Sequence, residues 1–504
     1  MSLAYTKGAV LHGVTAAAIT VEVDISSGLP AIGIVGLPGA SVNEARWRVR
    51  TAVRNSGFPW PDARVTFSLS PAEVPKHGSG MDLPMAMAVI IGQDRVRPTV
   101  ENIAFIGELG LDGSVHRVRG ALAMLLTLVD AGANTVVVPA GNASECAVVR
   151  GVTVLPVGHL RAACAASVGD FSLIELSQQS VEQALPSQDL NLSDVVGQEP
   201  AKFAMEVAAA GGHHIWLTGN PGVGKTMLAE RLPSILPDLT EEQSREVTVL
   251  HSIAGAIPDA LVTRPPWQSP HHSSSASAII GSVRGSQVVP GAATLAHHGV
   301  LFLDEAPEFH RDALEAMRQS MESGVVHLHR AQWSGKLPAR AQVVFASNPC
   351  KCGMANAIDG VCDCPPGASS NYRARISGPL RSRIDITVNL GSHIADVQLD
   401  RVREDSLIVR DRVIAARQSA ARRLTELGIS CNAHISPASL EGELALPLAS
   451  RALIRSAGLP GMRAQHRAMR VAWTVADLRG GSAPDQADAE QAIALVAPAD
   501  GLAA

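Results

Sequence analysis

At 504 residues, with 46% hydrophobic and 18% charged residues and a formal charge of −5, the chain has apolar surface for about three cores and no overall basic bias. That balance excludes a disordered protein and confines any nucleic-acid contact to a local patch or to a pore built by several copies. MSLAYTKGAV lacks the basic and apolar regions of a secretory leader, and no uncharged apolar run reaches the length of a membrane span. Seven cysteines, four of them between Cys350 and Cys364, argue against a secreted disulfide framework, so a cytoplasmic protein with no membrane partner is expected.

Residues 1–172 read as an α+β unit. AITVEVDIS, RVTFSLS and TVVVPA alternate as strands do, whereas NEARWRVRTAVRNSG and GALAMLLTLVDAG carry helical spacing and end in glycine. GLPAIGIVGLP, PKHGSGMDLPMAMAVI and FIGELGLDGSVHRVRGALAML resemble the ribosomal-S5-like domain of Lon-type proteases, which also occurs without proteolysis in several ATPases. Proteolysis there needs a serine with a lysine close by. Ser79 is available, but no lysine occurs between Lys76 and Lys202, so a non-proteolytic domain is expected.

Residues 173–192 are polar with a proline and suit a linker. A helix over AKFAMEVAAA follows, with Asp194 or Gly197 as its cap and Pro200 in its first turn. The strand HIWLTG then leads into Gly219-Asn220-Pro221-Gly222-Val223-Gly224-Lys225-Thr226 and a helix, MLAERLPSIL. This is a phosphate-binding loop in its required context: the glycines free backbone N–H groups for phosphate oxygens, and the helix N-terminus favours negative charge. Lys225 reaches the β/γ-phosphates, and the Thr226 hydroxyl ligates magnesium. The expected cofactors are ATP and Mg2+.

About eighty residues on, the apolar strand Gly299–Leu303 delivers Asp304 and Glu305 to its C-terminal end. Asp304 suits magnesium, and Glu305 suits a base that orients and deprotonates the attacking water. A third strand, AQVVFASNPC, ends at Asn348, whose amide suits the γ-phosphate or that water. Between them, after the helix ALEAMRQSMESG, alternating apolar and basic residues around Ser334-Gly335 predict a hairpin whose tip carries Trp333 and Lys336, with Arg330 on one arm. Cys350, Cys352, Cys362 and Cys364 form C-x-C-x9-C-x-C, which suits either a tetrahedral zinc site or reduced thiols. His271 and His272 offer, with His297 and His298, a metal site or a structural loop; the loop is preferred.

GNPGVGKTMLA, SPHHSSSASAIIG, GAATLAHHGVLFLDEAPEF, the cysteine segment and SGPLRSRIDI together resemble the Mg-chelatase-like AAA+ ATPases of the ComM/YifB family, over essentially the whole chain. The resemblance implies an S5/Lon-like domain at 1–172, a linker at 173–192, an AAA+ P-loop α/β core at 193–395 with a pore hairpin and a cysteine-rich insert, and a helical lid at 396–504. It makes Arg383 the arginine finger and Arg463 the sensor arginine of the lid. It further implies a homo-oligomer, expected to be a hexamer, that acts as a helicase on branched or single-stranded DNA without sequence preference, in recombination or natural transformation. Arg330, Trp333 and Lys336 would then face DNA in the pore. The ATPase subunit of a magnesium-chelatase-like complex is the alternative. Two departures stand out: PWQSPHH where relatives read PFR before PHH, and Arg381-Ser382 where they read Leu-Asp.

Overall fold

The structure is a computed structural model and describes residues 2–174, 190–256, 261–284, 287–330, 333–355, 362–391 and 403–497. In the first of these stretches, period-two alternation builds one seven-stranded mixed sheet. Its strands run, edge to edge, Ala31–Val35, Arg64–Ser70, Thr15–Ser26, Ser2–His12, Ile103–Phe105, Thr135–Pro139 and Thr153–Val157. The helices Ala40–Asn55 and Ala121–Asp130 appear where their spacing places them. A third helix, Asp82–Gly92, is apolar on nearly every side and is therefore buried almost throughout. Its first residue, Asp82, is fully buried and takes a fork from Arg48, with Nε–Oδ2 2.8 Å and Nη2–Oδ1 3.1 Å. Burial raises the Asp82 carboxyl to about 6 against the opposing pull of that guanidinium.

The Ser79 hydroxyl donates to the Glu108 carboxylate, and the Lys76 ammonium, buried, donates to the Pro71 carbonyl. The sheet docks on the core through the helix Glu241–Ala254, whose Val249 packs with Leu125 and Leu128.

The core sheet is five parallel strands in the order Trp267–Gln268, Val300–Leu303, Gln342–Ser347, Ile215–Gly219, Ile386–Leu390. The three central strands are buried runs of Val, Ile, Leu and Phe, as a parallel sheet covered on both faces requires. The first core strand in sequence is not at an edge: the phosphate-loop strand lies between Gln342–Ser347 and Ile386–Leu390, and a crevice opens at the C-terminal strand ends where the order reverses. On one face the helix Glu199–Gly211 joins the C-terminal helices Ser406–Leu424 and Gly461–Arg479 in a shared core that includes Ala204, Ala208, Val409, Val413 and Met469. Across that seam, buried His213 contacts Asp385 (3.1 Å) and Thr474 (2.8 Å). Arg423 pairs with Asp477 and covers the Trp473 ring at 4.1 Å.

Three local expectations are corrected. The helix after the phosphate loop is two short pieces, Lys225–Ala229 and Leu232–Ile235, because Pro233 cannot continue the hydrogen-bond ladder; its dipole is correspondingly small. The cap before Glu199–Gly211 is Gln198, left-handed at φ 58°, while Asp194 instead pairs with Arg231 at 2.9 Å. In the hairpin, Leu328 pairs with Gly335 and His329 with Ser334, so Ser334-Gly335 lies inside a strand and not at the tip; Arg330 and Trp333 flank the turn. The expected linker falls almost wholly outside the described residues, as does the boundary at 396.

Two histidines serve as acceptors at the other ends of these strands. His214 Nδ1 accepts from the Val343 amide (3.1 Å) and His297 Nδ1 from the Arg340 amide (3.0 Å), so neither nitrogen can carry a proton without losing its bond. Desolvation brings both imidazoles down to about 4, with the neighbouring His298 adding to the effect at His297. The unfolded histidines titrate near pH 6.5. The unfolded chain therefore binds more protons below that pH, and stability is expected to fall as pH drops from about 6.5 to about 4 and to level off below. Urea midpoints across this window measure it. His214→Asn, which keeps an acceptor but cannot be protonated, should flatten the slope; an unchanged slope would remove His214 from the account.

Candidate nucleotide and metal sites

The phosphate loop begins where Gly219 leaves the sheet. A Cβ there would lie 2.8 Å from the Leu390 carbonyl, so only glycine lets the chain turn. Gly222 and Gly224 are left-handed at φ 80° and 93°, and a Cβ on either would meet nothing within 4 Å. The loop's outer side is thus open at the place a phosphate chain would occupy. Beneath it, the Lys225 ammonium uses all three donors on the carbonyls of Gly219 (2.7 Å) and Asn220 (2.9 Å) and on Asn348 Oδ1 (3.0 Å). Burial lowers the Lys225 pKa, and the charges of Asp304 and Glu305 oppose that.

Register explains how residues far apart in sequence meet here. Thr218 pairs with Ser347, so Gly219 and Asn348 leave adjacent strands at one level, and Leu303 pairs with Phe345, so Asp304 leaves the next strand two residues short of Asn348. Thr226 Oγ1 donates to Asp304 Oδ2 at 2.8 Å, which puts the two expected magnesium ligands side by side. The hydroxyl, the carboxylate and the open loop fit a magnesium nucleotide in donor type and position. Glu305 is left-handed at φ 51°, an unfavourable state for a residue with a Cβ and one that clusters at functional positions. Its Oε2 lies 3.1 Å from His272 Nδ1, a contact the sequence reading did not anticipate.

The two arginines gather elsewhere. Arg383 donates to the Pro379 carbonyl (2.7 Å) and to Glu322, with its side chain only 13% exposed. Arg463 lies on that same edge, Nη1 3.4 Å from Ser382 Oγ, and Arg467 donates to the Ile384 carbonyl. Among the described residues, neither Arg383 nor Arg463 is hydrogen-bonded to the Lys225 pocket of its own chain. Gln198 donates through its side-chain amide to the Gly391 carbonyl at 3.1 Å, just beyond the fifth core strand.

Four thiols converge after Asn348. Cys350 Sγ lies 3.2 Å from Cys352 and 3.8 Å from Cys362, Cys352 lies 3.5 Å from Cys362, and Cys364 joins them, all four sulfurs lying within 4.8 Å. Tetrahedral Zn–S bonds of about 2.3 Å require sulfur separations of about 3.8 Å, so the group fits zinc. Gly353, at φ 80°, is packed so closely on Pro221 that a Cβ would meet its ring at 2.6 Å, which sets the cysteine loop against the phosphate loop. The four histidines do not come together as one group. His297 and His298 both turn to Glu246 (3.2 and 2.8 Å), while His272 turns to Glu305. Since His297 Nδ1 accepts an amide N–H, its Nε2 carries the proton and donates to Glu246, which disfavours a metal there.

A second hairpin, Ser282–Arg284 with Gln287–Val289, went unread; the signal was Gly285-Ser286 between two short alternating runs. Its Val288 shares a buried cluster with Ile279 and with Val326, Leu328 and Leu337 of the hairpin Val325–Pro338. The two hairpins therefore form one wall. Lys336 is exposed on it.

Three family models match: Magnesium chelatase, subunit ChlI, over residues 191–397; Subunit ChlI of Mg-chelatase over 21–142; and Magnesium chelatase, subunit ChlI C-terminal, over 403–495. An uncharacterized protein of Mycobacterium tuberculosis is 42% identical over 494 residues, 96% of each chain. The uncharacterized protein YifB of Escherichia coli is 38% identical over 95% of this chain and 93% of its own. Competence protein ComM of Haemophilus influenzae is 33% identical over 95% of this chain and 94% of its own. With such identity along nearly the full length and a P-loop α/β core of this order, the chain belongs to the ComM/YifB family of magnesium-chelatase-like AAA+ ATPases.

Proposed function

We propose that the chain is an ATP-hydrolysing DNA motor, assembled as a ring that is expected to be hexameric, which moves branched DNA in recombination or natural transformation. The observation that carries this reading is the hairpin Val325–Pro338 inserted between the Asp304 strand and the Asn348 strand, so that the proposed DNA contact is joined to two strands that line the nucleotide site. The similarity to a competence protein supports the setting. In this reading Lys225 anchors the β/γ-phosphates, Thr226 and Asp304 hold magnesium, Asn348 orients the γ-phosphate, and Glu305 takes the proton of the attacking water. Arg383 and Arg463, gathered on an edge away from their own pocket, serve a neighbour's nucleotide. The S5/Lon-like part, 1–172, and the lid, 396–504, flank this core at 193–395, with 173–192 linking the first two. No helix among the described residues is long and apolar enough to cross a membrane.

The descriptions of the matching family models favour one other reading, an ATPase subunit of a metal-insertion complex. The two differ in what stimulates turnover. DNA of forked, four-way or single-stranded form should raise the ATPase rate of the purified protein in a salt-sensitive and sequence-independent way; no binding and no stimulation by any of them would favour the chelatase-like reading.

Glu305→Gln should keep ATP binding and lose turnover by about 100-fold or more, whereas Lys225→Ala should lose both. An unchanged rate in Glu305→Gln would remove the assignment of the base.

Replacing Arg330, Trp333 and Lys336 together by alanine should spare DNA-free hydrolysis and abolish both DNA stimulation and junction movement. A triple variant that moves junctions at the normal rate would show that the contact lies elsewhere.

Cys350, Cys352, Cys362 and Cys364 are proposed to hold a structural zinc ion that staples the loop behind Asn348. Protein purified without chelator should carry about one zinc per chain, and Cys352→Ser should lower both zinc content and thermal stability. A zinc-free preparation with Cys352→Ser unchanged in stability contradicts the site.

A further inference from the structure

The helix Ala40–Asn55 buries Val42, Ala45, Val49, Ala52 and Val53 on its inner side and divides its outer side in two. At 3.6 residues per turn, Asn43, Arg46, Trp47, Arg50 and Arg54 fall within a sector of about 100°. On the other flank stand Glu44 and Arg48, and Arg48 is committed to the buried Asp82 at 2.8 Å and lies 3.9 Å from Glu44. One flank is thus neutralised within the molecule, and the other is basic and aromatic.

Among the described residues, no carboxylate pairs with Arg46, Arg50 or Arg54, and Arg46 Nε is buried with no acceptor. Trp47 stands between them 57% exposed, with the Arg46 guanidinium 5.5 Å from its ring centroid. Like charges four residues apart destabilise a helix, and an indole left in water forgoes its burial. A ligand that relieves both is anionic and has a flat face. The flank is turned away from the helix Asp82–Gly92, toward the sheet edge at Ala31–Val35, where residues 27–43 supply no Asp or Glu. Its helix covers the sheet face that buries Val10 and Ile19, whereas the core docks through Ala121–Asp130 on the opposite face, over Ala9 and Ala18. The flank therefore lies across the sheet from the contact with the core.

We propose that this flank is a site for single-stranded nucleic acid, separate from the hairpin wall: Trp47 stacks on an unpaired base, and Arg46, Arg50 and Arg54 take the phosphates on either side. The site deepens the DNA reading above and rests on it for its partner. A duplex hides its base faces, so an exposed indole gains little from one, while a single strand offers a π-face beside every phosphate. Arg46 to Arg54 spans roughly 12 Å along the helix axis, room for a few nucleotides. Contacts of this kind read no sequence.

The test is fluorescence anisotropy of a labelled oligothymidylate, and of a duplex of equal length, titrated with the full-length protein without nucleotide. Trp47→Ala should weaken binding of the single strand about tenfold and leave the duplex nearly unaffected, and Trp47→Phe, which keeps a ring, should lose far less. Arg50→Gln with Arg54→Gln, which keeps helix propensity, should flatten the slope of log affinity against log salt by about 1.4. In the Arg330, Trp333 and Lys336 triple alanine variant, single-strand binding should persist and then disappear when the flank substitutions are added. If the flank variants melt at the wild-type temperature and bind oligothymidylate with wild-type affinity and salt slope, the site is wrong, and the motor reading stands as long as junctions still move. If they lose single-strand binding while the wild type moves no junction, the motor reading fails and the site stands. Polyglutamate that displaces the oligonucleotide at equal charge, with Trp47→Ala without effect, would assign the flank to an acidic protein surface and overturn the proposal; a wild type with no affinity for either nucleic acid would overturn both.

Discussion

Strand register is the constraint on which the site depends. Because Thr218 is level with Ser347, and Leu303 with Phe345, the strand ends at positions 219 and 348 open at one height and the end at position 304 two residues below them. Lys225, Asp304 and Asn348 are then within a few ångströms, and Thr226 bonds to Asp304 directly. A slip of one residue in any of these strands would turn its end group to the opposite face and its buried Val, Leu or Phe toward the wrong layer. The hydrophobic covering of the parallel sheet, with Leu217, Phe302 and Val344 all fully or nearly fully buried, is thus what aligns the polar chemistry at its rim.

The same sheet governs what can be transmitted. Its Asp304 and Asn348 strands are joined through a helix and the hairpin Val325–Pro338, and its edge strand leads through His272 to a second hairpin packed on the first. On the opposite edge, Arg383 is tied to Glu322 at the end of that same helix, and Arg463 stands beside it. One sheet and the elements packed on it therefore carry the nucleotide pocket, the Glu305 carboxylate, the hairpin wall and the arginine edge. Small changes at the phosphate loop reach each of them through elements that are packed, not loosely connected.

The parts of this arrangement carried by local pattern were legible in the chain. The glycine spacing of the phosphate loop, the apolar run before Asp304 and the alternation of Thr15–Ser26 are near-neighbour signals, and the elements lie close to where those signals point. What escaped the reading depends on long-range pairing or on small competing preferences. The contacts His272 to Glu305 and Arg383 to Glu322 join residues 33 and 61 apart, which no periodicity predicts. The hairpin closes between Arg330 and Trp333, three residues before the stronger turn dipeptide Ser334-Gly335, because the alignment of Val326 and Leu328 with the buried cluster fixes the register. Pro233 divides a helix whose apolar spacing continues through it, a case of a missing N–H overriding periodicity. The four cysteines were evident as a group from their spacing, whereas the packing of Gly353 on Pro221, which sets that group against the nucleotide loop, was not.

The central claim is that nucleotide hydrolysis at this sheet moves DNA. A synthetic four-way junction with one labelled strand, incubated with the full-length protein, magnesium and ATP, tests it most directly. The account predicts conversion of the junction to its migrated duplex products with ATP and none with a non-hydrolysable analogue; a protein that hydrolyses ATP at full rate yet leaves every junction and fork intact would contradict it.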